Sequence, residues 1–296
     1  MGPGFKYHVA TIAAIFFALA VGLVVGSLTV SPRLVHGYEG ALKGLRTTLN
    51  QDITEKSDQV SRYKTGLHAI LPVALKHKLS NANVVVVVTG HYSDTLTSVD
   101  DALQMAGAHI VGAITMGEPM IGQGQELKDA ITQLHSLYPA APQTVAGIIA
   151  RFGRALAYGD DPQTGIIAAM QKAGLVDTSN GGYDGTPAKY VVILGGSRGL
   201  HPDRVQDLDI PIIQDLKEIN VRVVVGEPAD AAQSDVPTYQ AGNIDVTTVD
   251  DVDKPLGQFS LVYGLLGASN NYGEKQSAHA LTPTPATPEQ QSTVSQ

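Results

Sequence analysis

The residues of this chain best suited to chemistry gather at two short turns. Thr89-Gly90-His91-Tyr92-Ser93-Asp94 follows a run of five valines, and Gly195-Gly196-Ser197-Arg198-Gly199-Leu200-His201 follows the apolar run Tyr190–Leu194. Open parallel sheets bind ligands at the carboxyl ends of their strands. If the two runs are neighbouring strands, His91, Asp94, Arg198 and His201 face one crevice. Two imidazoles and a carboxylate suit Cu(II) or Zn(II), and glycines beside an arginine suit an anion. The plainer reading is turn chemistry, because no spacing among these residues is diagnostic. The sequence is neither a G-x-G-x-x-G nor a Walker motif, whose lysine is missing.

Met116 and Met120 form an M-x-x-x-M pair, and paired thioethers hold Cu(I). Pro119 between them argues for a turn, in which methionines more often fill gaps. Asp250, Asp251 and Asp253 in TVDDVDKPLGQ suggest a divalent metal, yet Asp253 two residues before Pro255 also reads as a helix N-cap. There is no G-x-S-x-G, no H-E-x-x-H and no cysteine, hence no thiol nucleophile and no disulfide. A non-enzymatic protein is expected.

The elements that would position these groups alternate. Val84–Val88 is a run that a strand buried on both faces uses comfortably. A helix at Asp100–Ala106 and a strand at His109–Thr115 follow. Later come a strand at Tyr190–Leu194, a helix at Asp207–Ile219 and a strand at Val221–Val225. A short strand near Ile244–Thr247 leads to a last helix, Pro255–Leu266. The pattern predicts an α/β domain over residues 81–275, with a mostly parallel, Rossmann-like sheet. Between its halves, Thr144–Ala157 and Gly165–Ala173 read as helices with no intervening strand. Residues 276–296 are rich in Thr, Pro, Ser and Gln and are expected to be disordered.

Ahead of that domain, Val9–Val30 is 22 residues without a charge, enough to span a bilayer as a helix. It is too long for the apolar region of a cleaved signal peptide, so a signal-anchor is expected. Lys6 and the free N-terminus put residues 1–8 in the cytoplasm and the rest outside: a single-pass protein of the cell membrane with an extracytoplasmic α/β domain. Small residues at Ala18, Gly22 and Gly26 would allow close helix–helix approach. Residues 31–80 read as a coiled-coil stalk with a seam through Tyr38, Leu42, Leu45, Leu49, Tyr63, Leu67 and Ile70, ended by Pro72. Asp52, Lys56 and Gln59 interrupt it. Dimerisation through this stalk is the expected association. Residues 31–80 carry a net charge of +4 and residues 81–296 a net of −13. The acidic larger part would repel phosphate, which excludes a nucleic-acid partner.

The opening HVATIAAIFFALAVGLVVGS and the closing TVDDVDKPLGQFSLVYGLLGASNNYG resemble the MctB-like family of copper transporters, most specifically in T-V-D-D-V-D, Thr248 to Asp253. The strand Val191–Leu194 followed by Gly195-Gly196 also matches. The resemblance implies a signal-anchor, a coiled coil, an α/β domain and a role in copper efflux or copper tolerance, with copper as the metal concerned. The family also includes SteB-like proteins, which implies an alternative: a coiled-coil scaffold acting with a SteA-like partner in envelope assembly or division. One transmembrane helix cannot enclose a pore, which favours the scaffold on physical grounds.

Overall fold

The computed structural model describes residues 3–29, 32–122, 124–199 and 203–284. The chain divides into two compact units, Met1–Tyr63 and Lys64–Gln296.

The first unit is helical. Helix α1 runs Pro3–Thr29, and its stretch Tyr7–Gly26 has a mean hydropathy of 2.6 with no part buried, long and apolar enough to cross a membrane. Helix α2 begins at Pro32 and extends to Leu75, so its last turns belong to the second unit. Leu42, Leu45 and Leu49 are exposed along it. Tyr38, the first residue of the seam, lies in the helix, but its side chain is outside the described residues.

The second unit opens with the foot of α2. Pro72 lies inside the helix instead of ending it. A proline there removes one backbone bond to the preceding turn. Burial compensates: Leu71 and Leu75 pack into the core together with Leu79. Leu67 is half-buried and Ile70 exposed.

Strand β1 (Asn83–Val88) then pairs in parallel with β2 (His109–Met116) on one side and β4 (Tyr190–Leu194) on the other. Strand β5 (Arg222–Gly226) follows β4, and β6 (Thr247–Val249) and β7 (Asn271–Tyr272) extend that side. The sheet order is β3-β2-β1-β4-β5-β6-β7, parallel except for β3 (Val176–Asp177), an antiparallel edge on β2. The middle of the chain therefore contributes a strand that its helical pattern did not announce; two residues are too few for periodicity to register.

The valine run is explained by its two neighbourhoods. Val85 and Val87 point into one apolar cluster, and Val84, Val86 and Val88 into the other. The first cluster is covered by α5 (Gln125–Leu137), α6 (Val145–Tyr158), α7 (Ile166–Lys172) and α8 (Ile210–Glu218). The second is covered by the foot of α2, by α3 (Leu96–Met105) and by α10 (Pro255–Leu265). Two short helices complete the unit, α4 (Glu118–Gly122) and α9 (Val236–Ala241).

Part of the segment expected to be disordered is structured. Ala280 bridges to Tyr272 beside β7, and the Gly273 amide donates to the Ala280 carbonyl at 3.0 Å. A sheet edge offers backbone partners, so a polar chain joins it without a large apolar side chain to bury. Residues 285–296 lie outside the described residues.

Candidate functional site

The chain leaves β1 toward β2 and returns to β4 on the other side, which makes the carboxyl ends of β1 and β4 the switch point of the sheet. The two turns singled out by sequence meet there. Their backbones close on each other: the Thr89 and Gly90 amides both donate to the Leu194 carbonyl at 2.9 Å, and the His91 amide donates to the Gly196 carbonyl at 3.1 Å. A Cβ on Gly90 would overlap the main chain of Gly195 and Gly196. Main chain therefore fills the space between the strand ends where a ligand of this fold class would lie. Gly90→Ala is accordingly expected to destabilise the head by about 1–3 kcal/mol, as overpacking does, read as a lowered urea midpoint.

The candidate ligands among the described residues sit in different local settings. Asp94 sits exposed in a single 3-10 turn, Ser93–Thr95. His91 is half-buried, and His201 lies outside the described residues. The Arg198 guanidinium stacks over the Tyr92 ring at 5.1 Å, while the Tyr92 hydroxyl accepts from the Ala232 amide at 2.8 Å. Met116 and Met120 are buried on β2 and α4 within one apolar cluster, so they fill space in regular elements rather than in a turn. Among the described residues no group of three or more His, Asp or Glu could hold a metal ion, and the chain has no cysteine.

Beneath the switch point lies a charged network that sequence reasoning missed. Arg204 is almost fully buried and donates to Asp209 Oδ2 at 2.5 Å, to Thr89 Oγ1 at 2.7 Å and to Asp235 Oδ2. Asp235 also accepts from the Gly196 amide at 2.5 Å, which fixes the Gly-Gly turn. Tyr239 donates to Asp209 at 2.7 Å. Glu227 takes the Asp235 amide at 2.8 Å on one oxygen and the Lys275 ammonium at 2.7 Å on the other. Burial raises the Asp209 carboxyl above its ordinary value, and Arg204 only partly opposes this. Burial alone would lower Arg204; Asp209 and Asp235 more than offset it, so the guanidinium stays charged. This arrangement orients main-chain turns. Arg204, Asp209, Glu227 and Asp235 are all buried within it.

The T-V-D-D-V-D segment forms a second acidic corner. Thr248 donates to Asn271 Oδ1 at 2.7 Å. Asp250 accepts from the Glu274 and Lys275 amides at 2.8 and 3.2 Å. Asp253 is not the cap of α10: the residue at that position is Lys254, without a side-chain cap, and Asp253 instead accepts from the Ala229 amide at 2.7 Å. A competing main-chain donor from the loop after β5 claims the carboxylate.

With this geometry in view, the family model described as "Copper transport outer membrane protein, MctB" matches residues 4–283. Among curated proteins, no sequence matches the chain.

Proposed function

The chain belongs to the MctB family of copper transport outer membrane proteins, and from that premise we propose that this copper transport-related envelope protein acts as a non-enzymatic scaffold. In this reading α1 anchors it as a single pass with the head outside the cytoplasm. Helix α2 pairs as a coiled coil, with a second copy or with a SteA-like partner, and the head recognises another envelope component.

The closed switch point carries the reading. Main chain fills the place where an enzyme of this fold class would hold substrate, and Arg204, Asp209, Asp235 and Glu227 are engaged internally. The apolar residues Leu42, Leu45, Leu49 and Ile70 on α2 are meanwhile exposed. Leu67 and Ile70 line an apolar groove of about 280 Å³ with Phe259 and Pro283, a surface suited to a helix.

Calorimetric titration of the detergent-solubilised chain with anaerobic Cu(I) and with Cu(II) tests this. The expected outcome is no stoichiometric binding tighter than about micromolar, a threshold near −8 kcal/mol. Stoichiometric tight binding, lost in a His91→Ala/His201→Ala double variant, would sink the scaffold and make the head a copper carrier. The seam is tested separately. With no native cysteine, Leu45→Cys alone is expected to cross-link two copies on oxidation, whereas a cysteine at exposed Lys128 on the head should not.

A further inference from the structure

Asp251 lies two residues beyond the end of β6, is fully buried, and neither of its carboxylate oxygens finds a hydrogen-bond partner among the described residues. An unpaired buried carboxylate is among the costliest groups a fold can hold, unless it stays protonated. Space around it is tight. A Cβ on Gly257, in the first turn of α10, would overlap the Asp251 main chain and carboxylate, and one on Gly273 would overlap the Asp250 carboxylate.

The charged groups facing Asp251 are Asp250 on its own turn, Glu274 on the loop after β7, and Asp253 and Lys254 before α10. Three are acids and one is a cation that Asp253 already pairs at 3.2 Å. Burial first, then Asp250, Glu274 and Asp253, push the carboxyl up to about 7.

The turn at 273–275 is therefore closed over the Asp250 carboxylate, the residue next to Asp251, and its Glu274 adds an acid that Asp251 feels. It also tethers the C-terminal strap. Lys275 Nζ reaches Glu227 and the Pro228 carbonyl at 2.7 and 2.9 Å. Beyond it Gln240 donates to the Ser277 carbonyl at 2.8 Å, Ala280 bridges to Tyr272, and Pro283 is buried.

We propose that Asp251 is a proton-held latch on this strap: the neutral carboxyl lets the 273–275 turn close, and its ionisation beside Asp250 and Glu274 opens that turn and frees residues 276–284 from the sheet edge.

The sign follows from linkage. The closed state holds the Asp251 proton more tightly than an open state with an ordinary carboxyl, so closure is favoured at low pH and weakens as pH rises from about 4 to about 7. Amide hydrogen exchange of the full-length chain in detergent, corrected for the intrinsic pH dependence, reads this directly. Protection over residues 271–284 should fall by about tenfold per pH unit up to about pH 7 and then level off. Protection in β1 and β4 should not follow. Asp251→Asn should abolish the fall. Should that variant fail to fold, Glu274→Gln at an exposed position gives the second reading: a smaller total fall, complete at lower pH. Protection independent of pH in the parent chain, an identical fall in Asp251→Asn, or no change in the Glu274→Gln profile overturns the latch.

Discussion

Arg204→Met is expected to destabilise the head by about 3–5 kcal/mol, the effect of removing one partner from a buried ionic network. The guanidinium compensates Asp209 and Asp235 and donates to Thr89. Methionine matches its bulk but leaves both carboxylates without a cation, Asp209 with neutral donors such as the Tyr239 hydroxyl and Asp235 with the Gly196 amide. Thermal unfolding followed by circular dichroism should show a midpoint lower by roughly 10 °C for a unit of this size. Acidification should shrink the deficit, because Asp209, already raised by burial, takes up its proton more readily once Arg204 is gone. Combining Arg204→Met with Asp209→Asn and Asp235→Asn should recover most of the loss, since a network removed whole leaves no buried charge unpaired. A triple variant as unstable as the single one would show that the arginine acts through packing.

The second large effect separates the two sides of α2. Leu75→Ala is expected to cost about 2–5 kcal/mol, because Leu75 is fully buried in the cluster beneath α3 and α10. Ile70→Ala, only five residues earlier but exposed, should stay within about 0.5 kcal/mol in the unassociated chain. Chemical denaturation of both variants at low protein concentration makes the comparison. Equal losses would mean that the foot of the helix is held by something other than its buried side.

How much of this was legible in the sequence depended on the range of the interaction. The strands β1, β4 and β5 are apolar runs and stand out, because both of their faces are buried by helices and no alternation blurs them. That β1 and β4 would be neighbours was the condition set for a shared crevice, and it is met; the filling of that crevice by main chain depends on two glycine turns pressed together, which no local pattern encodes. Arg204 and Asp209 escaped notice for a geometric reason. They are five apart, joined through a π turn at Val205–Asp209, whereas helical charge pairs are sought at three and four. Asp253 misled in the opposite way. It stands at cap spacing before Pro255, and the Ala229 amide, 24 residues earlier, takes it.

The valine strand has a consequence for the newly made chain. Asn83–Val88 has no charge, no proline and a high preference for extended structure, a composition that self-associates when left unpaired. Its partner β2 lies about 25 residues onward, but the other side stays open until Tyr190–Leu194 has emerged, more than a hundred residues later. Contacts so distant in sequence form late, and an open edge of this kind favours aggregation in the interval. The same six residues that join two cores in the finished head thus make its biogenesis depend on how quickly β4 arrives, and pauses in synthesis between residues 120 and 190 would be felt as lost yield rather than as a lost activity.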